Sequence, residues 1–200
     1  MDLADGLMAR TTPVIRVTRR TLADLVEHCS DKAAGNPHAF ASAAVKHLKD
    51  RMADELVWGI QYEKMGEWYE MQFAELMEAL ESNLVPAKEA SLYDHVECGS
   101  DIERDFVRGL DDRADVLFYV KLPGWFRVPT PVGDYNPDWA IVVREGMDDA
   151  KRLYLVRETK GDPNDLRGDE KRKTVCGKKH FVGALGVNYK VIKTIGELLR

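Results

Sequence analysis

The sequence predicts an α/β protein in which a mixed central sheet is flanked by helices and preceded by an N-terminal helical subdomain. Apolar residues follow a helical spacing up to about residue 84. Beyond residue 86, short β-rich runs alternate with helical segments, and Pro and Gly separate them. With 200 residues, the chain can bury a core without disulfides or a structural metal.

The N-terminal part has the periodicity of a long amphipathic helix. Asn36-Pro37 and the run Asn83–Pro86 mark its boundaries. Between them, apolar residues recur in steps of three and four on two tracks: Val45, Leu48, Met52, Leu56 and Ile60, then Trp58, Tyr62, Met65, Tyr69, Phe73, Leu76 and Leu80. We expect this stripe to pack in a core, and a partner-binding surface is the alternative.

The C-terminal part predicts the sheet. A capping box at Ser100-Asp-Ile-Glu103 opens a helix. The remaining elements are three strands, a helix weakened near Gly177, and a last strand: Val116–Val120, Trp139–Val143, Leu153–Lys160, a helix within 165–185, and Val187–Ile192. We therefore predict a helical subdomain or linker over 1–90 and a separate domain over 91–200.

Composition restricts the class of protein. The net charge is −5, but the segment from Arg157 to His180 holds 8 basic and 5 acidic residues, so a local basic surface is possible within an acidic chain. A solvated helix face is the alternative reading. The three cysteines (Cys29, Cys98 and Cys176) are far apart, which argues against disulfides and zinc and favours the cytoplasm. The sequence contains no run of 18 apolar residues, so no membrane-spanning helix is predicted.

Two short motifs carry the chemistry. Pro137-Asp138 opens the second predicted strand, and Glu158-Thr159-Lys160 closes the third. Residues two apart on a strand share a face, so Glu158 and Lys160 project together and Thr159 points the other way. If the two strands form a hairpin, Asp138 approaches Glu158. Each motif alone is common, as a turn and as an exposed strand edge, but their conjunction is more specific.

Paired carboxylates and a lysine suit phosphodiester hydrolysis. Two nearby carboxylates repel unless a cation lies between them, and oxygen ligands select a hard ion such as Mg²⁺, with Mn²⁺ as a substitute. We therefore expect Asp138 and Glu158 to be the metal ligands. Lys160 can orient or help to deprotonate the attacking water and can neutralise the transition state. Glu103 is a supporting acid, with a purely capping role as the alternative.

A larger set of sequence segments resembles a known family. The segments that carry the likeness are Tyr93–Val96, Ser100–Phe106, Val120–Phe126, Pro129–Pro131, Gly133–Trp139, Glu158–Gly161 and Cys176–Phe181. Together they resemble the C-terminal endonuclease region of type III restriction enzyme Res subunits, within the PD-(D/E)xK nuclease superfamily. The likeness spans about half of the chain and implies a restriction-endonuclease-like fold and Mg²⁺-dependent cleavage of double-stranded DNA.

The resemblance also implies site residues and partners. Asp138 and Glu158 match the metal carboxylates, and Lys160 matches the active-site lysine. We expect DNA phosphate contacts from the basic residues that follow: Lys171, Arg172, Lys173, Lys178, Lys179 and His180. The Mod methyltransferase, which recognises the target, and the helicase portion of Res would be the protein partners.

The chain departs from the family in one respect. It contains no GxxxxGK[ST] phosphate loop, so we expect ATP to serve only a motor region outside this sequence, which resembles a C-terminal piece of Res. The leading expectation is a type III site-specific deoxyribonuclease, limited to its endonuclease portion. The alternatives are a non-catalytic DNA-holding or subunit-docking module and a standalone PD-(D/E)xK nuclease that acts on other DNA structures.

Overall fold

The computed structural model describes residues 19–63, 83–145, 152–162, 166 and 168–199. The chain divides into two compact units, Met1–Gly59 and Ile60–Arg200. The predicted boundary at residue 90 remains a prediction. The second track of the long apolar stripe, beyond Glu63, lies outside the described residues until Asn83.

The first unit contains three helices: α1 (Arg19–His28), α2 (Ser30–Gly35) and α3 (Pro37–Gly59). The start of α3 follows from its sequence, because Asn36 Oδ1 accepts a hydrogen bond from the Ala39 N–H (3.0 Å) and proline occupies the first helical position. A small buried cluster lies on α3 around Ala41 and Val45. None of the described helices is long and apolar enough to cross a bilayer.

The prediction that the α3 stripe packs in a core is wrong for its C-terminal half. Trp58 is 75% exposed, Leu56 is 55% exposed, and Met52 is also exposed. Helical spacing correctly predicted the helix, but periodicity alone does not show whether an apolar face is covered.

The second unit begins with a two-stranded antiparallel sheet that the sequence analysis did not predict. Strand β1 (Leu84–Pro86) pairs with β2 (His95–Glu97). The predicted N-cap is present at the start of the next helix, α4 (Asp101–Asp111), where Ser100 Oγ accepts a hydrogen bond from the Glu103 N–H (3.3 Å). The reciprocal bond of the capping box is replaced, because the Glu103 carboxylate accepts from the Gly99 N–H (2.8 Å).

The main sheet has four strands in the order β3-β4-β5-β6: β3 (Val116–Lys121), β4 (Trp139–Arg144), β5 (Arg152–Thr159) and β6 (Asn188–Ile192). The first three strands are antiparallel, and β6 lies parallel to β5. The sheet is therefore mixed and helix-flanked, which confirms the predicted restriction-endonuclease-like α/β fold.

The two faces of the sheet bury different clusters. On one face, alternate residues of β4 and β5 pack with α4 in a core that includes Phe106, Leu110, Trp139, Ile141 and Leu155. The opposite face holds a smaller, aromatic cluster: Val128, Tyr135, Val156, Phe181 and Tyr189. Glu158, a predicted site residue at the end of β5, contacts Tyr135 of this second cluster.

The crossover from β5 to β6 contains α5 (Gly168–Lys178), which continues into a π-helical turn, Lys179–Ala184. Gly177 sits where α5 meets the aromatic cluster, and a Cβ there would lie 2.5 Å from Tyr135 Cε1. Only glycine lets the helix approach this closely. The helix changes form at Lys179, two residues after Gly177 and close to the predicted weak point.

Candidate active site

The site forms where β4 begins and β5 ends. The two strands make the predicted antiparallel hairpin, with Trp139 opposite Arg157. This register places Asp138 opposite Glu158, and directly opposed residues of an antiparallel pair project to the same face. The hairpin thus brings together two carboxylates that lie 20 positions apart in the chain.

Thr159 holds the Asp138 carboxylate. Asp138 Oδ2 accepts hydrogen bonds from the Thr159 N–H and from Thr159 Oγ1, both at 2.7 Å. Thr159 Oγ1 in turn accepts a hydrogen bond from Trp139 Nε1 (3.3 Å). The expectation that the Thr159 side chain simply points away from the site is wrong, because at the end of the strand its hydroxyl reaches across to Asp138.

Glu158 is buried, with 5% of its surface exposed, and each carboxylate oxygen has its own partner. Oε2 accepts a hydrogen bond from the Tyr135 hydroxyl at 3.0 Å. Oε1 lies 3.2 Å from Lys160 Nζ, which confirms that Glu158 and Lys160 project together. The Tyr135 hydroxyl is also 2.7 Å from that of Tyr189.

Burial raises the pKa values of both carboxyls, and the charge of Asp138 adds to the rise at Glu158. Desolvation, followed by the charge of Asp138, raises the pKa of Glu158 to about 7, against the opposing effects of Lys160 and Tyr135. Desolvation also raises the pKa of Asp138, and the charge of Glu103 adds to the rise, while the hydrogen bonds from Thr159 lower it. A divalent cation would remove this repulsion, so the donor set fits a hard metal ion.

Lys160 forms ion pairs on two sides. Its Nζ lies 2.9 Å from Glu170 Oε1, on the first turn of α5, in addition to its contact with Glu158. Burial alone would lower the pKa of Lys160, but the hydrogen bond to Glu170 and the charge of Glu158 outweigh it, so the pKa lies above its ordinary value. The Lys160 ammonium is therefore protonated and positively charged at neutral pH.

Glu103 accepts two hydrogen bonds near the start of α4, and its charge also acts on Asp138. Its Oε2 accepts hydrogen bonds from the Gly99 N–H (2.8 Å) and from Lys121 Nζ (2.6 Å). Its charge also contributes to the raised pKa of Asp138. Both readings from the sequence, a helix cap and a supporting acid, are compatible with this position.

The six expected DNA-binding residues differ in their exposure and in their contacts. Lys171 and Lys178 are exposed and lie seven residues apart, on one side of α5. Arg172 pairs with Asp169 at 2.9 Å, and Lys179 Nζ donates to the Ile60 carbonyl oxygen at 3.2 Å.

Lys173 and His180 have contacts of other kinds. Lys173 Nζ sits near Gly133, 3.7 Å from where a Cβ would lie on that glycine. The His180 ring meets Tyr62 edge-on, with centroids 5.1 Å apart, and burial lowers its pKa. A neutral imidazole is the favoured form of His180 at pH 7.

Sequence reasoning missed three residues that contact the predicted site: Tyr135, Glu170 and Tyr189. Tyr135 lies three residues before Asp138, in a segment that the resemblance already included. That proximity is the only signal in the sequence that could have drawn attention to it. Tyr189 and Glu170 reach the site through the β5–β6 crossover, which local patterns do not predict.

In the described parts of the chain, no three or more His, Cys, Asp or Glu side chains are grouped as a metal site. The candidate cation site therefore rests on the two carboxylates of Asp138 and Glu158. Water and a substrate phosphate commonly complete the coordination of Mg²⁺ in proteins.

The restriction-endonuclease-like sheet, with two opposed carboxylates and a lysine at the end of the hairpin, is typical of an endonuclease domain. A family model described as an endonuclease domain matches residues 89–195, a range that contains every site residue named above except Tyr62 and Ile60. The chain therefore belongs to this endonuclease-domain family. No curated protein and no solved structure matches it.

Proposed function

We propose that the domain is a Mg²⁺-dependent endonuclease that cleaves double-stranded DNA within a type III restriction-modification system. One observation carries the proposal: in a member of the endonuclease-domain family, the β4–β5 hairpin sets Asp138 opposite Glu158, and Lys160 contacts Glu158. The resemblance of the sequence to the C-terminal region of Res supplies the type III context.

Asp138 and Glu158 would hold the cation, for which Mn²⁺ is a substitute. When bound, Mg²⁺ would make its bound water more acidic and offset charge on the phosphate. Both Thr159 hydrogen bonds fall on Asp138 Oδ2, so they orient the carboxylate as a whole, and the other oxygen, Oδ1, would be the one to meet the cation. Burial of Glu158 excludes competing water from this edge of the site.

Lys160 supplies positive charge rather than a base. Its raised pKa keeps the ammonium protonated at neutral pH, so it is suited to stabilise charge that develops on the phosphate oxygens. Orienting the attacking water is the second role open to a protonated lysine, whereas accepting a proton from water is disfavoured.

Binding of the duplex would be electrostatic and largely independent of sequence. The exposed Lys171 and Lys178 offer phosphate contacts along α5. Recognition of the target would belong to the Mod subunit, and ATP-dependent movement to the helicase portion of Res.

One contact favours a rival function, in which the domain holds DNA or docks a subunit while its site is idle. Lys160 Nζ is closer to Glu170 Oε1 (2.9 Å) than to Glu158 Oε1 (3.2 Å). A lysine engaged by a surface carboxylate is less available to a phosphate. The distinction is therefore whether Lys160 contributes to chemistry.

A plasmid-cleavage assay with Lys160→Ala tests this. Purified protein, alone and with Mod and the helicase portion of a type III Res subunit, is incubated with supercoiled DNA and Mg²⁺, and linear product is measured over time. We expect Lys160→Ala to lower the rate by about 10²–10⁴, roughly 3–5 kcal/mol of barrier, because its charge is needed most in the transition state. Mn²⁺ should support cleavage and Ca²⁺ should not.

Lys193→Ala is the matched control, since Lys193 is an exposed lysine just beyond β6. It should cleave like the wild type. A Lys160→Ala protein that also cleaves at the wild-type rate in the complete system would refute the catalytic role and place the DNA-holding or docking function first.

A further inference from the structure

Tyr135 and Tyr189 form a buried pair behind Glu158. Tyr135 is 4% exposed and Tyr189 is 8% exposed, and their hydroxyl oxygens are 2.7 Å apart. The Tyr135 hydroxyl is also 3.0 Å from Glu158 Oε2. The three side chains come from the segment before β4, from β5 and from β6, so the contacts join three separate parts of the domain.

The direction of these hydrogen bonds follows from counting protons. An ionised Glu158 can only accept, so Tyr135 must donate its single hydroxyl proton to Oε2. Tyr189 must then donate to the Tyr135 oxygen. A hydroxyl that accepts one hydrogen bond is a stronger donor in the next, so Tyr189 strengthens the hold of Tyr135 on Glu158.

The packing around the pair fixes its place. The Tyr135 backbone is anchored by two hydrogen bonds with Val128, at 2.7 and 2.9 Å. Phe181 stacks on Tyr189 with centroids 5.6 Å apart, and Gly177 of α5 lies directly against both tyrosine rings. The close approach of α5 at Gly177 restricts both rings on the side of the helix.

We propose that Tyr135 is a positioning residue for the divalent-cation site, and that Tyr189 acts through it. By engaging Oε2, Tyr135 orients Glu158 so that Oε1, which lies 3.2 Å from Lys160 Nζ, would be the oxygen that meets a cation shared with Asp138. The inference rests on the proposed function and deepens it, because it names the residues that orient the proposed metal ligand Glu158. Partners of this kind typically change metal affinity by 10–100-fold.

Calorimetric titration with Mg²⁺ tests the assignment on the full chain. Tyr135→Phe removes only the hydroxyl and should weaken Mg²⁺ binding by about 10-fold or more. Tyr189→Phe should weaken it by a smaller factor, about 2–5-fold, because it acts at one remove. Gly177→Ala keeps both hydroxyls but pushes the Tyr135 ring, and should also weaken binding.

Tyr119→Phe is the matched control. Tyr119 is a fully buried tyrosine whose hydroxyl donates to Asp111 at 2.7 Å, so the substitution removes the same kind of hydrogen bond to a carboxylate elsewhere in the domain. It should lower stability without changing Mg²⁺ affinity. Urea unfolding of each variant separates loss of the fold from loss of the site.

Cleavage as a function of Mg²⁺ concentration gives the second readout. For Tyr135→Phe, the Mg²⁺ concentration at half-maximal rate should rise, while the rate at saturating Mg²⁺ recovers to within a few-fold of wild type. Unchanged Mg²⁺ affinity in a folded Tyr135→Phe protein would overturn the positioning role alone. Absence of both Mg²⁺ binding and cleavage in the wild type would overturn the proposed function and this inference with it.

Discussion

Arg157 and Glu158 are adjacent buried charged residues on β5. Their side chains lie on opposite faces of the sheet and have different surroundings. Arg157 is 0% exposed, and its acceptors are neutral oxygens of Leu198, Asn188 and Val156 at 2.5–3.1 Å. Glu158 is 5% exposed beside another carboxyl, and its pKa is raised to about 7.

We interpret Arg157 as a structural charge and Glu158 as the proposed cation ligand. Burial lowers the pKa of Arg157 to about 10, which leaves the guanidinium charged at every pH relevant to activity. Its hydrogen bonds tie β5 to the C-terminal segment and complete a core. Glu158, by contrast, sits where ionisation is costly unless a cation is added, as in a site built to bind one.

Replacing the structural charge should have the largest effect on the fold. Arg157→Met keeps the apolar stem but leaves the Leu198 and Asn188 carbonyl oxygens without their donor, so the free energy of unfolding should fall by about 3 kcal/mol. Urea denaturation measures this. Arg108→Met, at an exposed arginine paired with Asp105, is the control and should cost less than about 0.5 kcal/mol. Equal losses of unfolding free energy in the two variants would contradict the structural role assigned to Arg157.

The functional charge should make stability depend on pH. The pKa of Glu158 is higher in the folded state than its ordinary value of 4.5, so the folded state binds the proton more tightly. The free energy of unfolding should therefore be highest below about pH 4.5 and fall, on the order of 2 kcal/mol, as the pH rises to 7. Asp138, also raised, acts in the same direction.

Unfolding midpoints at pH 5 and pH 7, without divalent ions, check this. Mg²⁺ should restore stability at pH 7 by binding the ionised pair. Glu158→Gln should flatten the dependence, whereas Arg157→Met should keep it, because Arg157 does not titrate in this range. A wild-type midpoint that is constant from pH 5 to 7 would contradict the assignment.

The smallest effect is expected at Thr159, which joins the two faces through its hydroxyl. Thr159→Val retains the shape and the backbone N–H bond to Asp138 but loses the Oγ1 bond at 2.7 Å. We expect Mg²⁺ affinity to fall by about 10-fold, near 1.4 kcal/mol, as measured by calorimetry. Thr159→Ser retains the hydroxyl and should bind like the wild type; a similar loss in both would instead indicate a packing effect.

Much of the local structure could be predicted from patterns along the chain. Ser100 and Glu103 have the spacing of a capping box, and the cap forms. Glu158 and Lys160 are two residues apart on a strand, and they meet. These predictions succeeded because each depends on backbone geometry over two to four residues.

The sequence by itself determined the order of α4, the four strands of the main sheet and α5, the hairpin that carries Asp138 and Glu158, and the place of Lys160. The tertiary structure alone decided that Thr159 holds Asp138, that Tyr189 stands behind Tyr135, and that Glu170 reaches Lys160. It also decided that the α3 stripe is exposed at Trp58. The physical reason is that strand ends, crossovers and packed faces set these contacts, and they join residues whose separation in sequence carries no local signal.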